Sequence, residues 1–178
     1  ITKTKWLIDP ANSRIGCRVK HLMLTHVKGS FREYNAHIYT TENDFSTVEI
    51  DFWLNPASID TGNEQRDAHL RSADFFDANK FKEINFTAST FIEIVKNKRS
   101  MLYGELAMKG IKKQIRLEVE SGGRVRDPWG IERLLFNITG KINRKEWGLG
   151  WNAVLETGGV VVSEEVWIQC EVQLIKQA

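Results

Sequence analysis

The side chains best suited to chemistry in this chain fall into two groups, and neither completes a reaction centre. Asp67 and His69 supply a carboxylate and an imidazole two residues apart. An acid–base pair would need them to face each other, and on a helix positions i and i+2 do not. Glu164 and Glu165 are adjacent, so on a strand they project from opposite faces and cannot share a proton transfer. No third residue completes either pair. The G-x-S-x-G elbow, the H-E-x-x-H zinc motif, the P-loop and the dinucleotide fingerprint are missing from the sequence. A catalytic role is therefore not expected.

The second group is Cys17, His21 and Cys170. Positions 17 and 21 share parity, and both cysteines lie on apolar faces of segments near the two ends of the chain. Where such segments meet in a closing sheet, the thiols become neighbours. A metal ion would need a third or fourth ligand, and no spacing supplies one. Two buried, reduced thiols acting as small hydrophobes are expected, with a disulfide as the alternative.

The elements that carry these residues alternate with period two. Val166, Ile168, Cys170, Val172 and Leu174 share one face, opposite Gln169, Glu171 and Gln173. The same pattern runs through Ile15–Val19, Tyr34–Ile38, Val48–Leu54, Ile84–Ile94, Leu102–Met108, Ile115–Val119 and Leu134–Ile142. That makes eight strands with one apolar and one largely polar face, the mark of an antiparallel sheet. The expected fold class is all-β, a sandwich or a closed barrel; closure removes exposed edges. Gly104 and Gly140 fall on inward positions, where they suit either a bend or room for a ligand.

Two connections exceed hairpin length. In the stretch 55–83, Thr61 and Glu64 match a capping box that would start a short helix running to about Ser72. Phe75, Phe76 and Phe81 follow and must be buried. The stretch 143–163 contains Trp147, Trp151 and Gly158-Gly159. With Phe52, Phe86 and Phe136, these aromatics suit either a filled core or an apolar pocket with a polar mouth. The basic clusters Lys96, Lys98, Arg99 and Lys109, Lys112, Lys113 look like solvated hairpin tips.

The length of 178 residues fits one domain, and 25 basic against 23 acidic residues give a net charge of +2, which excludes an electrostatic case for nucleic acid. No apolar run is long enough to span a bilayer as a helix, and no leader is recognisable, although the chain begins at Ile1.

Several blocks closely resemble the YceI-like family. They are Val19-Lys20-His21-Leu22-Met23, Val27-Lys28-Gly29-Ser30-Phe31, Ser58-Ile59-Asp60-Thr61-Gly62-Asn63, Arg66-Asp67-Ala68-His69-Leu70-Arg71-Ser72 and Asp74-Phe75-Phe76-Asp77. Lys109-Gly110, Asp127-Pro128-Trp129-Gly130, Gly140-Lys141-Ile142-Asn143-Arg144, Trp151-Asn152 and Leu155-Glu156-Thr157-Gly158-Gly159 complete the set. Cys17, Lys82 and Trp147 depart from the usual pattern. The resemblance implies an eight-stranded antiparallel lipocalin-like barrel with a short helix in the 55–83 connection. It also implies a long isoprenoid or similar amphiphile held inside, frequent homodimers, and export of some members to the periplasm.

On that basis the apolar chain of a polyisoprenoid, quinone-like or fatty-acyl ligand is expected to meet Val19, Phe52, Phe75, Phe76, Phe86, Leu106, Met108, Leu117, Phe136, Trp151 and Ile168. Asn63, Arg66, Asp67 and His69 are expected at the head group, unless they form only a capping and salt-bridge network. No cofactor or metal is expected. Two other readings stay open: an interaction module with a filled core, motivated by Trp53 and Trp167 on the outward faces, and isoprenoid-modifying chemistry at Asp67 and His69.

Overall fold

The computed structural model describes residues 2–22, 24–94, 99–152 and 162–177. Met23, Lys96, Lys98 and the 155–159 block lie outside the described residues. Among the described residues, eleven strands form one antiparallel sheet. They are β1 Lys3–Ile8, β2 Arg14–His21, β3 Thr25–Phe31, β4 Tyr34–Thr41, β5 Asp44–Leu54, β6 Ile59–Asp60, β7 Ile84–Ile94, β8 Arg99–Met108, β9 Ile111–Arg126, β10 Glu132–Asn143 and β11 Glu165–Lys176. Eight of them close into a barrel in the order β1-β4-β5-β7-β8-β9-β10-β11, because β1 pairs with both β4 and β11.

The eight-stranded lipocalin-like barrel expected from the sequence is therefore present, with one exchange of membership. Alternation marks β2 as a wall strand, whereas the ring is closed by β1. β11 is long enough to serve both. Its C-terminal residues Leu174–Lys176 pair with β1, and Trp167–Glu171 pair with β2. Between the two, Pro10 opens a single 3-10 turn over Pro10–Asn12, and the Asp9 carboxylate accepts the Ala11 N–H at 3.1 Å. Proline removes a donor there and ends the first pairing. β2, β3 and the two-residue β6 then extend from β11 as a flap.

The barrel has a closed end and an open end. At the closed end, which holds the β4–β5 turn, Trp6 is 1% exposed and its indole N–H donates to Thr40 Oγ1 at 2.9 Å. Phe45 packs against Trp6 and Phe136, with ring centroids 5.1 and 5.5 Å apart. Val48, Val119, Leu134 and Leu174 complete this plug. The two inward glycines serve packing. A Cβ at Gly104 would lie 2.5 Å from the Phe86 ring, and one at Gly140 would lie 2.6 Å from Leu117. Each makes room for a neighbouring wall side chain.

The 55–83 connection crosses the open end. It contains helix α1, Glu64–Arg71, whose cap is Asn63: its side chain accepts the Arg66 N–H. This corrects the capping box expected at Thr61. Glu64 turns away to Arg71 at 2.6 Å, and Thr61 is engaged by Asp67 instead. Of the expected basic tips, Lys109 lies in the β8–β9 turn, but Lys112 and Lys113 already belong to β9.

Candidate functional site

Above the closed-end plug the barrel is hollow. A cavity of about 630 Å³ runs along its axis, a size that suits a small-molecule site. The strands line it with the alternate side chains that point inward, from Ile38 on β4 and Phe52 on β5 to Leu117 on β9 and Ile168 on β11. Wall residues that are themselves solvent-exposed, Asn63 and Gln65, mark where it opens.

The polar wall groups gather at that opening. They come from the β2–β3 flap (His21), from β6–α1 and its lead-in (Thr61, Asn63, Gln65, Arg66, His69) and from Arg144. Four of these are ionisable nitrogen bases, and among the described residues no Asp or Glu contributes to the wall. Arg66 donates from Nε to Thr61 Oγ1 at 2.7 Å and from its terminal nitrogen to the Thr61 carbonyl at 2.9 Å. Thr61 in turn donates to Asp67 Oδ1 at 2.5 Å, and its N–H reaches the same oxygen at 3.0 Å. Asp67 is thereby buried behind the wall, at 4% exposure, as a brace for the turn that presents Arg66.

His69 stands among aromatic rings. It meets Trp151 at 4.6 Å and Phe75 at 5.1 Å, both edge to face, and its Nε2 pairs with Asp74 at 2.9 Å. The Asp67–His69 pairing considered from the sequence does not form, since each residue has a different partner. Glu164 and Glu165 likewise pair separately, with Lys145 at 2.7 Å and Lys141 at 3.6 Å.

Arg144 organises the rim, and sequence reasoning did not select it. It is 3% exposed, and its guanidinium donates to the carbonyls of Leu149, Trp151, Val162 and Ser163 at 2.5–3.3 Å. It is held by carbonyl dipoles, with no carboxylate in ion-pair contact among the described residues. Burial depresses its pKa, and the field of Glu164 opposes the shift. These bonds fix Trp151 over the opening. Only the motif Asn143-Arg144 pointed to the position; nothing in local spacing foretells a buried cation.

Of the residues expected to meet an apolar chain, Val19, Phe52, Phe75, Phe76, Phe86, Leu106, Met108, Leu117, Trp151 and Ile168 stand on the wall. Phe136 has the right face but the wrong depth: it packs into the closed-end plug against Phe45. Asn63, Arg66 and His69 line the opening, whereas Asp67 sits behind it. Cys17 and Cys170 also face the cavity. Cys17 lies opposite Ile168 and Cys170 opposite Ile15, so they are diagonal neighbours across the β2–β11 pair. Such pairs lie farther apart than a disulfide allows, and both thiols are free. Burial in apolar surroundings pushes each to about 11. Among the described residues no cluster of three metal-ligating side chains occurs. Trp53 and Trp167 are half-buried on the outer face, beside His37 at 5.2 Å and His26 at 6.0 Å.

A closed antiparallel barrel with an apolar, end-opening cavity places the molecule among lipocalin-like barrel folds. More particularly, the chain belongs to the YceI-like domain family, which it matches over residues 6–174. A UPF0312 protein of Staphylococcus aureus (strain USA300) is 37% identical over 164 residues, 92% of each chain. The crystal structure of a YceI protein from Campylobacter jejuni superimposes with a TM-score of 0.75 at 29% identity, covering 89% of this chain and 90% of that one. A polyisoprenoid binding domain from Saccharophagus degradans shares the fold at a TM-score of 0.66 and 12% identity, over 97% and 98% of the two chains. No helix among the described residues is long and apolar enough to cross a membrane.

Proposed function

We propose that the protein binds a long-chain isoprenoid or comparable amphiphile and holds or carries it without altering it. The hydrocarbon lies along the barrel axis and the head group sits at the opening. The observation that carries this reading is one continuous cavity with a hydrocarbon wall, whose ionisable lining at the opening, among the described residues, is His21, Arg66, His69 and Arg144. Each methylene moved from water contributes about 0.8 kcal/mol, so ten give about 8 kcal/mol, micromolar affinity before any polar contact. Arg66, His69 and Arg144 add preference for an anionic or hydrogen-bond-accepting head, such as a phosphate or a quinone carbonyl. A fatty-acyl chain fits the same wall, and no cofactor enters the reading. The name of the Saccharophagus degradans domain supports the isoprenoid class.

The test is organic extraction and native mass spectrometry of purified protein, before and after incubation with polyprenols of graded length. One amphiphile per barrel is expected. A barrel that neither carries nor takes up any long apolar molecule overturns the reading. A homodimer is part of the same proposal, with the half-buried Trp53 surface as its contact. Sedimentation showing only monomer at high concentration removes that part.

A further inference from the structure

The β2–β3 flap carries a charge pattern that the barrel does not need. Its inward side chains Val19, His21 and Val27 belong to the cavity wall. The alternate positions are Arg18, Lys20, His26 and Lys28, and the register sets Arg18 opposite Lys28 and Lys20 opposite His26. Like charges directly across an antiparallel pair destabilise it. Among the described residues, Arg18, Lys20 and Lys28 make no ion pair with a carboxylate. Arg18 lies instead over the Trp167 ring at 4.8 Å and meets His26 Nδ1 at 3.0 Å. β6 covers β3 only at Ser30 and Phe31, so Lys28 stands on an open edge where charge deters strand addition. Edge protection does not account for Arg18 and Lys20, which lie on the inner strand β2.

At the tip of the same flap, Leu22 and Leu24 are 44% and 87% exposed. Leu22 adopts a φ of 53°, a left-handed conformation that favours glycine or asparagine. The tip is tied to the opening of the cavity. Lys20 N–H donates to Ser163 Oγ at 3.1 Å, Ser163 N–H returns to the Lys20 carbonyl at 3.0 Å, and His21 bridges to Val162. Val162 and Ser163 are two of the carbonyls that Arg144 holds.

We propose that this flap docks the open end of the barrel onto an anionic lipid membrane. Leu22 and Leu24 enter the headgroup layer, and Arg18, Lys20 and Lys28 meet anionic headgroups. The cavity then faces the bilayer and exchanges its ligand there. The inference rests on the lipid-binding reading above and names the surface that supplies the lipid. A second exposed apolar tip, with Trp129 at 81%, lies at the closed end. There Arg124 is neutralised by Glu132 at 2.6 Å, and Arg133 by Asp9 and Asp127 at 2.5 and 3.1 Å. Charge complementarity therefore favours the flap.

Flotation of the whole chain with vesicles of equal parts phosphatidylglycerol and phosphatidylcholine tests this, with pure phosphatidylcholine as the comparison. The protein is expected to float with the mixed vesicles and to lose that binding in salt. K20Q/K28Q should weaken partition about 30-fold, and L22S/L24S about tenfold or more, while W129S leaves it unchanged. All variants should load a polyprenol delivered from cyclodextrin as the parent does. A parent protein that loads the polyprenol but ignores both vesicle types overturns the docking and leaves the binding reading standing. Partition that survives L22S/L24S, or is lost in W129S, overturns the assigned surface. Failure to load from cyclodextrin counts against the binding reading instead, and is measured separately from flotation.

Discussion

At the closed end of the barrel, Trp6, Phe45 and Phe136 pack ring against ring on the axis and leave no space between them. At the open end, Phe75, His69 and Trp151 pack with similar centroid distances, yet a cavity of about 630 Å³ lies beneath them. The side chains are of the same kind; the elements that hold them differ. All three closed-end rings come from strands of the ring itself, Trp6 on β1, Phe45 near the start of β5 and Phe136 on β10. Strand alternation drives Trp6 and Phe136 onto the axis, while Phe45, of the other parity from Val48 and Ile50, lies beyond the register shift in the β4–β5 pairing. The open-end rings come from the two long connections, which stand them along the rim with backbone bonds to Arg144 and helix α1. Hollowness here is produced by connections that hold bulky groups aside.

The sharpest way to break that comparison is to remove the plug. Trp6→Ala deletes a ring that is 1% exposed and should lower unfolding free energy by about 3–5 kcal/mol in urea titration. Polyprenol uptake per folded molecule should hardly change. If stability survives, the closed end is not the anchor of the fold. A second contrast enlarges one side chain at each end. Val48→Phe, in the plug at 2% exposure, should cost about 1–3 kcal/mol through overpacking. Ile168→Phe projects into space, so it should cost less than about 1 kcal/mol and shorten the longest polyprenol accepted. Equal losses in thermal denaturation would mean the two ends are equally full.

The smallest effect concerns the thiols of the hollow end. Burial raises Cys17 and Cys170 to about 11 from an ordinary value of 9.0. The unfolded chain therefore releases these protons first. Their contribution is complete below pH 9 and is lost as the pH climbs towards 11. Near pH ~9.5 the parent should have lost roughly 1–2 kcal/mol relative to C17A/C170A, read from paired denaturation curves. A flat difference from pH 7 to 10 would place the thiols in a wet environment.

Alternation makes the faces of strands legible, and β4, β5 and β7 to β11 follow from it. It does not give depth along the axis, which is why Phe136 reads like Phe52 but packs at the other end. β3 escapes because Gly29 stands where an inward side chain belongs; a Cβ there would meet Thr61 at 3.0 Å and Ile59 at 3.2 Å. β1 escapes because its six residues are framed by lysines and carry the half-exposed Leu7. Asn63, Arg66 and His69 were accessible through family motifs. Arg144 was not accessible as a buried cation, since its four acceptors are backbone carbonyls, which have no sequence signature.

The turn at Pro10 has a consequence for how the molecule opens. Because β1 completes the ring, the β2–β3 flap, held by five residue pairs to β11, by β6 and by the ties to Val162 and Ser163, can detach while every strand of the ring keeps both neighbours. Amide protons of β2 and β3 should then exchange with deuterium as one early unit, well ahead of those of β8 to β10. Under the proposed binding role, a ligand leaves through this local opening and not through global unfolding.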